Sequence, residues 1–325
     1  NASPIIVRSE TGIAGDVSVK ASENCGIITG SGFVFQGITF LGNAGSTNTV
    51  ELSGASERVR FLDCEFVINA TGTVQNGVQL YNRSGTHAGI EVIGCTFRQV
   101  GYGRAIGAYF DASSSGGTIP GLLIQRCRFL LGGYCARLGQ GVTDARVLDN
   151  DMTSFNTGSV TDHTMLLGVD GQVGALSSGL IQGNRIWNAQ GHALIVGAGV
   201  DRADVVGNTV SGGFGPTPSL DLGIVIKQCD NVSVRHNCID ARSAAGLYFK
   251  AARNCEAYDN EISVQRHVSG VGIRTDSDNI GGAKCSGLTI RRNRVRASAG
   301  TVLQIGASSL ATGCIIDENV YEVSG

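Results

Sequence analysis

Short runs in which apolar and polar residues alternate recur along the chain, as in GIVIK at Gly223–Lys227 and GLYFK at Gly246–Lys250. A period of two sends one set of side chains to a buried face and the other to water, which is the mark of a strand. The runs end in Gly, Asn, Asp or Ser, residues that turn the backbone. No apolar pattern of helical period is long enough to supply the helix of a βα repeat. The chain therefore reads as all-β.

The strands come in repeated units, each closing on a related segment: VRFLDCEF, IEVIGCTF, LLIQRCRF, ARVLDNDM, GLIQGNRI, DVVGNTV, VSVRHNCI, EAYDNEI, LTIRRNRV and CIIDENVY. The shared position is Cys64, Cys95, Cys127, Asn150, Asn184, Asn208, Asn237, Asn260, Asn293 and Asn319, at spacings from 23 to 34 residues. A constant core word with insertions of variable length is the signature of a solenoid. Successive coils pair their strands in parallel about 4.8 Å apart, and the chirality of parallel crossovers makes the winding right-handed. The expectation is one domain over residues 1–325, a single-stranded right-handed parallel β-helix of about 10 to 12 coils.

Asn suits a repeated corner because it tolerates the left-handed backbone, and its amide can hydrogen-bond to the Asn one coil above. Cys64, Cys95 and Cys127 continue the same row, where a small, weakly polar side chain fills an inward corner. They are expected to be free, buried thiols. Disulfides between coils are one alternative, and reactive nucleophiles, which need an electropositive and exposed setting, are another.

Alternation also assigns two outward positions per coil in the run before each corner. They read Glu51 and Ser53, Gln79 and Tyr81, Tyr109 and Asp111, Arg137 and Gly139, Leu166 and Gly168, Ile195 and Gly197. The series continues with Val225 and Lys227, Tyr248 and Lys250, Gly272 and Arg274, Val302 and Gln304. In this register Lys227, Lys250 and Arg274 stack as three cations on successive coils. Two cations about 5 Å apart repel by roughly 1 kcal/mol in water and about 3 kcal/mol at an effective dielectric of 20, so the row calls for good solvation or a polyanion. Insertions follow the second outward residue at several coils (NRSGTHAG, ASSSGGTIPG, VDGQVGALSSG and TDSDNIGGAKCSG), as at the rim of a binding face. Gly139, Gly168 and Gly197 are expected to leave a side-chain-free groove floor.

Composition adds exclusions. A net charge of -2 with 16% charged residues suggests neither nucleic acid nor a membrane surface as partner. No apolar run is long enough for a spanning helix. The chain begins at Asn1 without a basic-plus-apolar leader, which reads as a processed or trimmed chain and leaves export open. The ten cysteines show no CxxC spacing, and no His, Asp or Glu cluster has metal-ligand spacing, so no metal or cofactor is expected. His163 and His192 lie near the middle coils, where isolated histidines are commonly structural.

The corner ladder, the short β runs and the basic outward row resemble the pectate-lyase-like superfamily of right-handed β-helices, which includes polysaccharide lyases, glycoside hydrolases, uronan epimerases and phage tailspike depolymerases. The resemblance is architectural and spans nearly the whole chain. Lys250 with Arg274 looks similar to the Lys and Arg of the alginate and chondroitin lyase branch, although the calcium-binding acids of that branch are missing from RSAAGLYFK. The paired aspartates and GHG of polygalacturonases are not matched by LDLGIVIK and QGHALIVG, and the DPHD signature of epimerases is absent.

The resemblance implies a carbohydrate-active enzyme that degrades an acidic polysaccharide by β-elimination, outside the cell, either secreted or on a virion. Lys250 is expected as base, Tyr248 as proton donor, and Lys227 or Arg274 as the cation on the substrate carboxylate, the roles being interchangeable. Tyr81, Tyr109, Asp111, Arg137, Asp170, His192 and Asp276 are the expected substrate-binding positions. Two other readings stand beside this one: hydrolysis of the tailspike type, with Asp111, Asp170 or Asp276 as acids, and a non-catalytic glycan-binding or structural spike. A tailspike would be a homotrimer.

Overall fold

The computed structural model describes the chain except for residues 1–4, 9–16, 21–23, 43–47, 70–75, 83–84, 102, 113–115, 156–162, 170–175, 189–190, 213–221, 242–243, 265–269, 278–281, 299, 307–312 and 324–325. The described residues form strands and turns without a helix. They group into two compact units: unit 1, Asn1–Gly158 with Gly174–Ser177, and unit 2, Ser159–Val173 with Ser178–Gly325. In each, a coil takes three strands, and each strand pairs in parallel with its counterpart on the next coil. This is the parallel β-helix that the repeat predicts.

The sheet that precedes the repeated insertions carries the outward rows. In unit 1 it stacks Asn48–Leu52, Asn76–Asn82, Arg104–Phe110 and Ala136–Leu138. In unit 2 it stacks Met165–Leu167, Leu194–Val196, Leu222–Lys227, Ala245–Lys250, Gly270–Asp276 and Gly300–Ile305.

Two residues, not one, build the repeated corner. The left-handed backbone belongs to the residue before the ladder position: φ is 51° at Asp63, 53° at Arg126, 56° at Asp149 and at His236, 54° at Asp259, 52° at Arg292 and 51° at Glu318. Gly94, Gly183 and Gly207 take the same place at 66°, 67° and 62°. This corrects the expectation that Asn itself makes the turn. Relieved of it, Asn turns inward and its amide joins a buried ladder.

In unit 2 the Nδ2 of Asn184, Asn208, Asn237, Asn260 and Asn293 each donates to Oδ1 of the next Asn at 2.8–3.0 Å. The backbone N–H of the same residue donates to that oxygen as well. The second amide proton reaches a carbonyl on the preceding coil, as from Asn237 to Val205 at 2.9 Å. Every polar atom of this corner therefore has a partner, which is what makes burial of an amide tolerable.

In unit 1 the same row is Cys64, Cys95 and Cys127, free and buried, with Asn150 donating to the Ile124 carbonyl. Burial pushes the Cys95 thiol up. A second thiol series, Cys229, Cys255, Cys285 and Cys314, is also free and lies in unit 2. Its spacings of 26, 30 and 29 residues were a signal in the sequence.

The cores differ as well. Phe40, Phe66, Phe97 and Phe129 stack through unit 1 with centroids 5.1, 4.6 and 4.6 Å apart. The corresponding row of unit 2 is aliphatic, with Ile186, Val210, Ile239, Ile262 and Val295 in register.

Candidate functional site

The register of the outward rows corrects the sequence alignment at three coils, those of Tyr81, Arg274 and Gln304. In unit 2 Lys227 pairs with Lys250 and Lys250 with Asp276, while Tyr248 pairs with Arg274. The third member of the cationic row is thus a carboxylate. Lys250 has a like charge on one side and an opposite charge on the other, so the repulsion expected of three stacked cations is largely offset. In unit 1 Tyr81 pairs with Tyr109 and Tyr109 with Arg137. Gln79 leaves the outward row and is buried, donating to the Phe66 and Arg98 carbonyls at 3.2 and 2.7 Å.

A column of glycines runs through these coils of unit 2. Gly223, Gly246 and Gly272 lie where coils approach so closely that a Cβ on Gly223 would overlap the Gly246 carbonyl. On Gly272 it would overlap the Val295 side chain. The paired strands stack these three residues, which sets Arg274 beside Tyr248.

Around Tyr248 the result is a hydrogen-bonded triad. The phenol donates to Asp276 Oδ2 at 2.9 Å, and Arg274 donates to the same oxygen through Nε at 2.8 Å. A second guanidinium nitrogen lies 2.7 Å from that oxygen, and the guanidinium carbon lies 5.4 Å from the Tyr248 ring centroid. Partial burial and the Asp276 carboxylate hold the Tyr248 phenol well above its ordinary range, so it stays protonated. Lys227 and Lys250 are half-buried next to this triad. Among the described residues Lys250 makes no ion pair.

Unit 1 holds a related cluster. Tyr109 and Tyr81 have ring centroids 5.3 Å apart, and Arg137 lies 4.7 Å from the Tyr109 centroid and 5.6 Å from that of Tyr134. The Tyr109 phenol reaches Asp111 Oδ2 at 3.3 Å. Burial and the nearby Asp111 raise its pKa to about 12, against the opposing pull of Arg137. Buried Asn82 holds Asp111 from behind, accepting from its N–H at 2.5 Å and donating to its carbonyl at 3.2 Å. Sequence reasoning missed Asn82, although its place directly after Tyr81, at the mouth of an insertion, was visible.

The glycine floor is not open. A Cβ on Gly139 would lie 2.5 Å from Asp111 Oδ2, so that space belongs to the carboxylate. Gly168 and Gly197 are buried against the backbone around Val169 and Ala198. Leu166, Ile195 and Val225 are outward by alternation yet only 2–3% exposed. His192 stacks on His163 with centroids 4.9 Å apart, three residues before Ile195 and outside the outward pair of its coil. Asp170 lies outside the described residues. Among those described, no group of three or more His, Cys, Asp or Glu could hold a metal ion.

A family model described as a right handed beta helix region matches residues 167–324. No curated protein sequence matches the chain. Among solved structures, the Dettilon tailspike protein (gp208) is similar with a TM-score of 0.60 at 16% identity, over 93% of this chain and 61% of that one. The chain thus spans about three fifths of that tailspike. The Azotobacter vinelandii mannuronan C-5 epimerase AlgE4 A-module is similar at 0.53 and 12% identity, over 90% and 87%. The periplasmic alginate epimerase AlgG is similar at 0.52 and 12% identity, over 92% and 76%. Identities this low speak for the fold and leave the chemistry to the residues. By its three-strand parallel coils, its family-model match and these likenesses, the chain is a right-handed parallel β-helix protein.

Proposed function

We propose that the chain acts on an acidic polysaccharide by β-elimination at the unit 2 face. The observation that carries this reading is a protonated phenol, Tyr248, fixed by Asp276 and Arg274 beside two lysines. β-Elimination needs a cation on the uronate carboxylate, a base for the proton on the adjacent carbon, and an acid for the departing oxygen. Lys227 supplies the cation. The Lys250 side chain takes the proton, the released electron pair forms the carbon–carbon double bond, and the glycosidic C–O bond breaks. Tyr248 then gives its proton to the leaving oxygen. Arg274, expected on the substrate, is turned instead toward Asp276 and serves to hold the acid in place.

Hydrolysis is less well supported here, because it takes two carboxyl groups and Asp276 is the one carboxylate described in these outward rows of unit 2. Support from outside the site is the likeness to mannuronan and alginate epimerases and to a tailspike. An extracellular or virion location and a homotrimer belong to the same proposal, the latter checked by light scattering in solution.

A panel of acidic glycans tests the mechanism. Elimination yields an unsaturated uronate with new ultraviolet absorbance along with new reducing ends. Reducing ends without that absorbance would mean hydrolysis, and binding without either would mean a non-catalytic spike.

A further inference from the structure

We propose that the unit 1 face is a second saccharide site, built for a neutral hexopyranose ring rather than for a uronate. Its outward rows carry Tyr81, Tyr109, Arg137 and Asp111, while Glu51, in register with Tyr81, is buried and hydrogen-bonded to Asn48. One carboxylate thus faces one cation. The unit 2 rows present Lys227, Lys250 and Arg274 against Asp276. A uronate brought to unit 1 would place its carboxylate near Asp111, and like charges at close range disfavour binding.

The site is built rather than incidental. Asp111 is fixed at the backbone by buried Asn82, its carboxylate accepts from Tyr109, and Gly139 lacks the side chain that would occupy its place. A turn cap needs the backbone contacts only. Here the carboxylate head is held as well, by Tyr109 two residues back, in the space that Gly139 on the next coil leaves open, and this points to a ligand on the outer side. Arg137 lies over the rings of Tyr109 and Tyr134 and makes no ion pair among the described residues, so its N–H groups are not committed to a counter-ion.

A carboxylate that accepts, a guanidinium that donates, and phenol rings with an apolar face and a polar edge together match a sugar ring, whose hydroxyls both donate and accept and whose C–H face is apolar. The inference rests on reading the chain as a glycan-acting protein. It adds that the polymer offers neutral sugars as well as acidic ones.

Calorimetric titration of the full chain decides it. The neutral probes are short gluco-, manno- and galacto-oligosaccharides, and the acidic probe is oligogalacturonate. A neutral probe is expected to bind, and Asp111→Asn and Arg137→Gln are each expected to weaken it roughly tenfold or more. Lys250→Ala should weaken the acidic probe instead. Melting curves certify that each variant folds, and should Asp111→Asn fail, Arg137→Gln carries the test. If no neutral probe binds, or if its binding survives both unit 1 changes, the proposal is overturned. Loss of neutral binding in Lys250→Ala would also overturn it, by moving the sugar to unit 2. The elimination reading is judged separately, on the acidic probe and its products.

Discussion

The two outward faces use the same three side-chain types with different wiring. In unit 1 Tyr109 and Asp111 share a coil and the arginine comes from the next one, where it lies over the phenol ring at 4.7 Å. In unit 2 Tyr248 has Lys250 rather than a carboxylate two residues on, and Arg274 and Asp276 come together from the next coil, their ion pair closing at 2.7 Å. Residues two apart on a strand project to the same side, so Arg274 can curl onto Asp276 without distortion. Arg137, with Gly139 in the equivalent place, has no such neighbour. A single exchange of Gly for Asp between coils thus separates a guanidinium with no ion pair among the described residues from one paired to the carboxylate that holds Tyr248.

Catalysis gives the largest expected difference. Removing a positioned acid or base costs on the order of 10²- to 10⁴-fold in rate, so Tyr248→Phe and Lys250→Ala should each reduce turnover of an acidic glycan by that order at unchanged melting temperature. Steady-state rates on a common substrate would show it. Should Tyr109→Phe abolish turnover while Tyr248→Phe spares it, the two faces have been assigned the wrong way round.

The ladders differ in kind and should differ in energy. Asn237→Leu removes the acceptor of Asn208 and the donor to the Val205 carbonyl, and each unmet buried group costs about 1 to 3 kcal/mol. Cys95→Val exchanges a buried thiol with long contacts of 3.4 and 3.5 Å for a side chain of similar volume and should cost less than about 1.5 kcal/mol. Denaturant melts of both variants make the comparison. An equal loss would mean that the thiol row is bonded as firmly as the amide row.

The corner itself is common to both units. His236 in unit 2 and Arg126 in unit 1 hold φ of 56° and 53°. The left-handed conformation costs a side chain roughly 1 to 2 kcal/mol, part of which glycine returns as backbone entropy. His236→Gly and Arg126→Gly should therefore each stabilise by a few tenths to about 1 kcal/mol. A loss at either site would show that its side chain contributes contacts worth more than the strain.

Alkaline pH probes a single phenol of the unit 1 face. Tyr109 is raised to about 12 in the folded chain against an ordinary value near 10. Between those values the unfolded chain releases a proton that the folded chain keeps, so stability present below pH ~10 is lost as pH rises toward ~12. Tyr109→Phe should flatten that part of the curve of melting temperature against pH, and an unchanged slope would place the phenol in water.

Composition and period were enough to read an all-β solenoid, its inward corner row and the strands that carry charge outward. Those properties are local, because alternation and turn residues act within one coil. Placing Asp276 in line with Lys250 needed more. GVGIR and GIRTD, both within Gly270–Asp276, match GLYFK about equally well as strings. Either string puts a glycine opposite Gly246, and the folded chain takes the second, which sets a carboxylate rather than a third cation beside Lys250. The left-handed turn at the residue before each Asn was likewise hidden, since Asp, Arg, His and Glu all occupy it, and only the bonded ladder beside it holds such residues there. What alternates along a strand is written in one coil; what stacks beside it is decided between coils, by packing that no single segment contains.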